Sequence, residues 1–207
     1  MKARVREFGI EDYATIWAAM QGFTAERDRH TDDEFWILEH QPVYTLGLNG
    51  DPAHLLRPTD VAVVRSDRGG QITYHGPGQL IIYTLVDLAR RRLGVRDLVS
   101  ALENSVCGLL RQYGVQGDVR RDRPGVYVDG RKIASLGLRV RRGCSYHGLS
   151  LNVDLDLSPF DVINPCGYAA LPMTRLADLG APVRCREAAA PLLRQLMHEL
   201  DYRELIR

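Results

Sequence analysis

A cysteine stands between a proline and a glycine in "VINPCGY", residues 162–168. Pro165 has no N–H for a helix or sheet, Gly167 is conformationally loose, and Asn164-Pro165 starts turns. Cys166 is therefore expected on a loop, presented by a stiff neighbour on one side and a permissive one on the other. Core cysteines sit inside apolar periodic segments, and this one does not. Such a thiol can act as a nucleophile only as its thiolate, and an ordinary thiol is ionised to roughly a few per cent at neutral pH. It needs a base or a positive charge beside it. One lysine could supply either. The chain holds 25 arginines and two lysines, and Lys2 is near the start, so Lys132 is the only internal lysine. Arginine carries the ordinary surface charge here. Lysine differs because burial can strip its proton near neutrality. The alternatives are a lysine stem lying over the sheet surface and a loop cysteine that only packs. The two residues become chemistry only if the fold brings them together.

A second candidate region is "DRGGQITYHGPGQL", residues 67–80, where Gly69, Gly70, Gly76 and Gly78 surround Arg68, Gln71, Thr73, Tyr74 and His75. Two hairpin turns would account for the glycines. A backbone that approaches a ligand closely would account for them equally well. The spacing is neither a Walker A loop nor a Rossmann fingerprint, so nucleotide phosphate binding is not indicated. "CSYHGLSLNV" sets His147, Gly148 and Asn152 on a strand. His75 and His147 lack a convincing third ligand, so no metal site is expected, and a hydrogen-bonded structural histidine is the plainer reading. The other cysteines fit structure better than catalysis. Cys107 lies beside a helix's apolar face. Cys144 follows Arg141-Arg142-Gly143, where nearby charge could lower its pKa. Cys185 lies between Arg184 and Arg186. There is no C-x-x-C pair, no zinc-finger spacing and no G-x-S-x-G elbow, so four free thiols are expected.

Several elements must position these residues. Tyr13, Ile16, Trp17, Met20 and Phe23 recur at helical steps and predict a helix over 11–29. "EFWILEH" and "VYTLGL" read as strands broken by Gln41-Pro42, followed by "DVAVVRS", then "QITYH" and "GQLIIYTLVDL" joined by Gly76-Pro77-Gly78. A second helix is expected over about 95–113, with Gly114 as its stop. "GVYV" and "RKIASLGLRV" flank Asp129-Gly130, a hairpin dipeptide. "SYHGLSLNVDL" alternates as a strand, and a last helix is expected over 186–206. Strands grouped between helices predict an α+β fold. A length of 207 residues, 45% of them apolar, suits a single domain, 1–207, with a substantial core. The net charge of +1 offers no support for nucleic-acid or anionic-membrane binding. No stretch is apolar for long enough to span a bilayer and "MKARVREFGIEDY" has no signal core, so a cytoplasmic protein is expected.

Together, "RGGQITYHGPGQL", "RKIASLGLRVRRGCSYHGLSLNV" and "INPCGY" resemble the three signatures of the octanoyltransferase family, lipoate–protein ligase B, in family order and over about residues 30–170. Ser135 and Ser150 stand where alanine is commonest in that family. The resemblance implies the fold of biotin and lipoate ligase catalytic domains, a mixed sheet flanked by helices with a second small sheet. It implies transfer of an octanoyl group from octanoyl-acyl carrier protein to a specific lysine of a lipoyl domain through a cysteine thioester. Cys166 would be the nucleophile and Lys132 its assistant. Substrate-binding positions would be Arg68, Gly69, Gly70, Gln71, Ile72, Thr73, Tyr74, His75, Ser135, Leu136, Gly137, Gly148, Leu149 and Ser150. The donor carries phosphopantetheine, and neither ATP nor a metal is expected. Acceptors would be lipoyl domains of 2-oxoacid dehydrogenase complexes and the glycine cleavage H protein, met by a monomer. Such partners are generally acidic, so Arg139, Arg141 and Arg142 are candidates for a docking surface. An ATP-dependent ligase on the same scaffold, a noncatalytic binder of acyl chains or carriers, and a cysteine hydrolase are the competing readings.

Overall fold

Near-continuous apolar runs at residues 35–38 and 80–82 are the pattern of strands covered on both faces, and both lie at the centre of a large sheet. The computed structural model describes residues 1–181 and 184–206. The first half of the chain forms β1 (Lys2–Glu11), α1 (Tyr13–Glu26), β2 (Asp33–His40), β3 (Val43–Leu46), β4 (Val63–Arg65), β5 (Ile72–His75) and β6 (Gln79–Leu85). The second half forms α2 (Leu88–Arg91), α3 (Val95–Gln112), β7 (Asp118–Val119), β8 (Val126–Val128), β9 (Arg131–Arg141), β10 (Cys144–Asn152), α4 (Cys185–Glu199) and β11 (Glu204–Ile206). Among the described residues eight strands form the large sheet in the order β11-β1-β2-β6-β10-β9-β8-β7, and β4-β3-β5 form a second sheet. Parallel and antiparallel pairs both occur in each. This is the expected α+β arrangement, a mixed sheet flanked by helices with a small companion sheet.

The small sheet is an insertion between β2 and β6, which are antiparallel neighbours in the large one. Gln41-Pro42 leads the chain out of the large sheet and Gly76-Pro77-Gly78 leads it back, so neither joint is a hairpin. Gly78 has φ +87°, and a Cβ there would strike the backbone of Asp154 and Leu155. Leu98, Leu102 and Val106 of α3 and Leu192 and Leu196 of α4 pack with Leu80, Ile82, Leu149 and Leu151 on one face of the large sheet. Ile16 and Met20 of α1 pack with Trp36, Leu38, Ile81 and Tyr83 on the other. Each such side chain contributes roughly 1.5–3 kcal/mol of burial.

Several boundaries differ from the sequence reading, three of them at the chain's ends and first helix. β1 forms in an N-terminal segment to which the sequence reading assigned no element; its charges sit on a half-exposed strand near the sheet edge. The last helix ends at Glu199, not 206, because residues 204–206 pair in parallel with Lys2, Ala3 and Arg4. Helix α1 spans Tyr13–Glu26 rather than 11–29, with the Asp12 carboxylate accepting from Thr15 N–H at 2.8 Å as its N-cap. Among the described residues no helix is long and apolar enough to cross a membrane.

Asp33, at the head of β2, is buried and ties distant segments together. It accepts from Arg27 and Arg90, each at 2.6 Å, from the Asp87 N–H at 2.8 Å and from the Tyr202 hydroxyl. Removing one partner of a buried ion pair strands the others. Asp33→Ala is expected to lower stability by about 3–5 kcal/mol, read from urea unfolding curves; a loss below about 1 kcal/mol would show that the cluster does not hold the segments together.

Candidate active site

The β8–β9 hairpin starts the site. Asp129 (φ 49°) and Gly130 (φ 78°) both take the left-handed conformation that a two-residue hairpin loop requires. The turn sets Lys132 opposite Tyr127. Residues 172–174 then clamp the backbone of Lys132: its N–H donates to Pro172 O at 2.8 Å, and its carbonyl accepts from Thr174 N–H at 2.9 Å. The Lys132 side chain is buried at 2% exposure. Its Nζ donates to Pro124 O at 2.9 Å and to Cys166 Sγ at 3.1 Å, and it lies over the Tyr127 ring. Gly125 makes this path available. Its φ is +132°, and a Cβ there would meet Lys132 Cε at 2.5 Å and Nζ at 3.0 Å.

Cys166 occupies a 3-10 turn in the left-handed region, φ 57° and ψ 19°, followed by Gly167 at φ 80°. For a residue with a Cβ that conformation costs roughly 1–2 kcal/mol. The turn is closed by Gly167 N–H to Asn164 O at 2.9 Å and Tyr168 N–H to Pro165 O at 3.1 Å. On one side it is anchored to the segment before β4, by Asn164 N–H to His54 O and Leu56 N–H to Val162 O. On the other, the clamp at Lys132 holds it. The cysteine is thus pinned from both flanks, half-buried, with its thiol on the lysine.

Both residues line a cavity of about 410 Å³. Ser135 pairs with Ser150, and Gly137 with Gly148, across β9 and β10. These small residues leave open a slot that Ile81, Val95, Val99 and Leu138 also line. The glycine-rich segment covers it. Arg68 is buried, and its guanidinium is held by Thr45 Oγ1 at 3.0 Å, Gly69 O at 2.9 Å and Gln71 O at 2.8 Å, so the loop is wound around its own arginine. Burial pushes its pKa down, partly opposed by the electronegative groups around it. Gly137 lets this loop lie against the sheet, since a Cβ there would meet Arg68 Cδ at 3.0 Å.

One end of the cavity is polar. His147 takes φ +60° inside β10 and is almost wholly buried. Its Nε2 lies 2.9 Å from Asp67 Oδ1, and among the described residues Nδ1 has no partner. Burial pushes the Asp67 carboxyl up, but hydrogen bonds from His147, Tyr146 and Gln21 outweigh it and hold Asp67 below the usual carboxylate range. An ionised Asp67 can only accept, so His147 carries its proton on Nε2. Burial keeps the ring neutral against the pull of Asp67. His75 sits between Gln79 and Thr45, and His40 between Tyr83 and the Glu11 carbonyl. Burial lowers them to about 3 and about 4.

Of the positions anticipated from sequence, Arg68, Gly69, Gly70, Gln71, Thr73, His75, Lys132, Ser135, Leu136, Gly137, Gly148, Leu149, Ser150 and Cys166 line this one cavity. Ile72 and Tyr74 do not. Alternation along β5 turns them away from it, into a cluster with Tyr44, Leu46 and Phe160. Cys144 departs from expectation too: it is buried, and burial raises its pKa despite the neighbouring arginines. Cys107 and Cys185 are buried, with their pKa values raised for the same reason. Arg139, Arg141 and Arg142 are exposed around the β9–β10 turn. Sequence reasoning missed Tyr13, Tyr83, Arg123, Pro124 and Tyr168 on the cavity wall, and Gly125 beneath the lysine. The "RPGVYV" stretch offered one signal, a glycine just before a strand.

Residues 12–197 match the family described as lipoyl protein ligase A/B catalytic domain. The chain is similar to the octanoyltransferase of Methylococcus capsulatus, 62% identical over 201 residues and covering 97% of each chain. Its fold is similar to that of a bi-partite lipoate protein ligase from Thermoplasma acidophilum (TM-score 0.80, 15% identity, 100% of this chain and 88% of that one). It is also similar to biotin protein ligase from Aquifex aeolicus, solved in complex with biotin and ATP (TM-score 0.60, 11% identity, 96% and 70%).

Two outcomes test the geometry. A Gly125→Ala substitution is expected to displace the lysine and slow alkylation of Cys166 by iodoacetamide by about 10²-fold, with an unchanged rate counting against the Lys132–Cys166 contact. His75 and His40 are neutral when folded and free to protonate when unfolded. Their contribution to stability is therefore complete above about pH 6.5 and is lost as pH falls towards their folded values. The slope is up to about 1.4 kcal/mol per pH unit for each. Urea unfolding across this range should show it, and His75→Gln should flatten it; an equally steep slope in the variant would refute the assignment.

Proposed function

The chain belongs to the octanoyltransferase family, within the lipoyl protein ligase A/B group, and is an acyltransferase; we propose that it moves an octanoyl group from octanoyl-acyl carrier protein to a lysine of lipoyl domains through a thioester on Cys166. The observation that carries this reading is the 3.1 Å contact between Lys132 Nζ and Cys166 Sγ at the wall of an apolar slot.

The Cys166 thiolate, stabilised by the Lys132 ammonium, attacks the carbonyl carbon of the incoming thioester. The Gly69 N–H is taken up by Leu138 O, which leaves the backbone N–H groups of Gly70, Gln71 and Cys166 as candidate donors for the oxyanion. The tetrahedral intermediate collapses, the C–S bond to the phosphopantetheine arm breaks, and Lys132 protonates the departing thiol. The octanoyl chain lies along the small residues of β9 and β10. The acceptor lysine, as a free amine, then attacks the Cys166 thioester and gives up a proton to the now neutral Lys132; an amide forms, the C–S bond to Cys166 breaks, and the cysteine leaves as thiolate beside the restored ammonium. Exchange of one thioester for another is near thermoneutral and the amide step is downhill. The cycle therefore requires neither ATP nor a metal, which separates it from an adenylating ligase on the same fold. The substrate-binding roles of residues 68–75, 135–137 and 148–150 belong to this reading, as do acceptors among the 2-oxoacid dehydrogenase complexes and the glycine cleavage H protein. So do a cytoplasmic setting, a monomeric enzyme and carrier docking at Arg139, Arg141 and Arg142.

Mixing the enzyme with octanoyl-acyl carrier protein, without ATP or acceptor, should leave a hydroxylamine-labile octanoyl adduct on Cys166 in intact-protein mass spectrometry. Cys166→Ser should keep its fold and retain less than about 10⁻³ of the transfer rate. Transfer with Cys166 unmodified throughout, or an active serine variant, would remove the covalent route.

A further inference from the structure

Glu103 is a buried carboxylate midway along α3, below the catalytic hairpin. No guanidinium pairs with it among the described residues; its Oε1 accepts from the Gly125 N–H at 2.8 Å. That N–H belongs to the peptide group joining Pro124 to Gly125. The carbonyl of the same peptide accepts from Lys132 Nζ at 2.9 Å, and Nζ reaches Cys166 Sγ at 3.1 Å. Carboxylate, peptide, amine and sulfur thus lie in one hydrogen-bonded line that crosses from α3 to the cavity wall. Hydrogen bonds in such a line polarise one another. A carboxylate drawing on the N–H enriches the carbonyl oxygen at the other end of the amide, and a richer oxygen holds an ammonium more firmly.

A purely structural role would be to anchor the loop, since Gly125 has φ +132° and Pro124 must be presented correctly. A glutamine would serve that purpose with the same reach and without burying a charge, which is the costlier choice. Burial pushes the Glu103 carboxyl up, opposed by the Gly125 N–H and by the charge of Lys132.

We propose that Glu103 is a positioning residue for acyl transfer: its carboxylate, acting through the Pro124-Gly125 peptide, holds Lys132 as an ammonium against Cys166. It stands to the lysine as the third member of a nucleophile–base–orienter set stands to its base. The peptide group serves as the intermediary. The inference rests on Cys166 and Lys132 as the reacting pair.

The test is single-turnover acylation by octanoyl-acyl carrier protein, followed by intact mass, beside the rate of Cys166 alkylation by iodoacetamide. Failure of the parent enzyme to acylate Cys166 would overturn the reacting pair and this inference together. With the parent acylated, Glu103→Gln keeps an oxygen on Gly125 and loses only the charge. It should retain the parent melting temperature and donor KM while acylation and alkylation both slow about tenfold. Glu103→Asp keeps the charge but withdraws the oxygen by one methylene, and should be slow as well. A folded Glu103→Gln enzyme acylating at the parent rate would overturn the proposal and leave an anchor only. Should that variant not fold, Glu103→Asp at the parent rate would overturn it.

Discussion

A primary amine removed from water must find its hydrogen bonds inside the protein, and the arrangement of this site follows from that demand. The Lys132 amine has Pro124 O and Cys166 Sγ as partners. To reach them it needs a tight hairpin behind it, a glycine beneath its stem and a loop segment bonded to its backbone. Each is present, at Asp129-Gly130, Gly125 and residues 172–174. Displacing any of them would draw the buried amine away from these acceptors. The same constraint fixes the cysteine, because the thiol is one of the amine's two partners. Strain at Cys166, held at positive φ, is tolerable because anchors on both sides of the turn determine where it sits.

The slot beside this pair combines an apolar floor with a polar far end. Groups such as His40, His75, His147 and Asp67 would be costly near a hydrocarbon if unpaired; His147 binds Asp67, His75 binds Gln79, and His40 binds Tyr83 and the Glu11 carbonyl, while His147 Nδ1 has no partner among the described residues. The histidines are neutral at ordinary pH, and the carboxylate faces donors on several sides. The inserted small sheet makes this polar end possible. β3 and β5 carry Thr45, Thr73 and His75 over the large sheet, and the buried Arg68 knots the loop that follows β4.

Much of this was legible in the sequence, for local reasons. Asp129-Gly130 announces its hairpin, apolar periodicity announces α1, α3 and most of α4, and the unusual company of Cys166 announces a presented thiol. What stayed hidden depends on long-range pairing. β11 reads as the tail of a helix because its partner is the chain's own beginning. Gly76-Pro77-Gly78 reads as a turn between neighbours, whereas β5 and β6 belong to different sheets. Ile72 and Tyr74 sit in the same motif as Thr73 and His75, but a strand alternates, and only the structure shows which parity faces the cavity. Cys144 shows the same limit in electrostatics. Three flanking residues suggested a lowered pKa, and burial by distant ones raises it.

The fold itself does not decide the chemistry. A biotin ligase that binds ATP and a lipoate ligase share it at identities too low to carry function. An adenylating enzyme activates a free acid and needs a place for triphosphate. An enzyme supplied with a thioester receives its acyl group already activated and needs only a nucleophile that gives and takes it at similar energy. A thiol beside an ammonium meets that requirement, since sulfur leaves as readily as it attacks when a positive charge stabilises it. On the covalent reading, the lysine would serve the thiolate twice, once as attacker and once as leaving group, with one geometry for both. That economy explains why the lysine is held so tightly rather than left to swing, and why its support extends through a peptide bond to a helix on the far side of the hairpin.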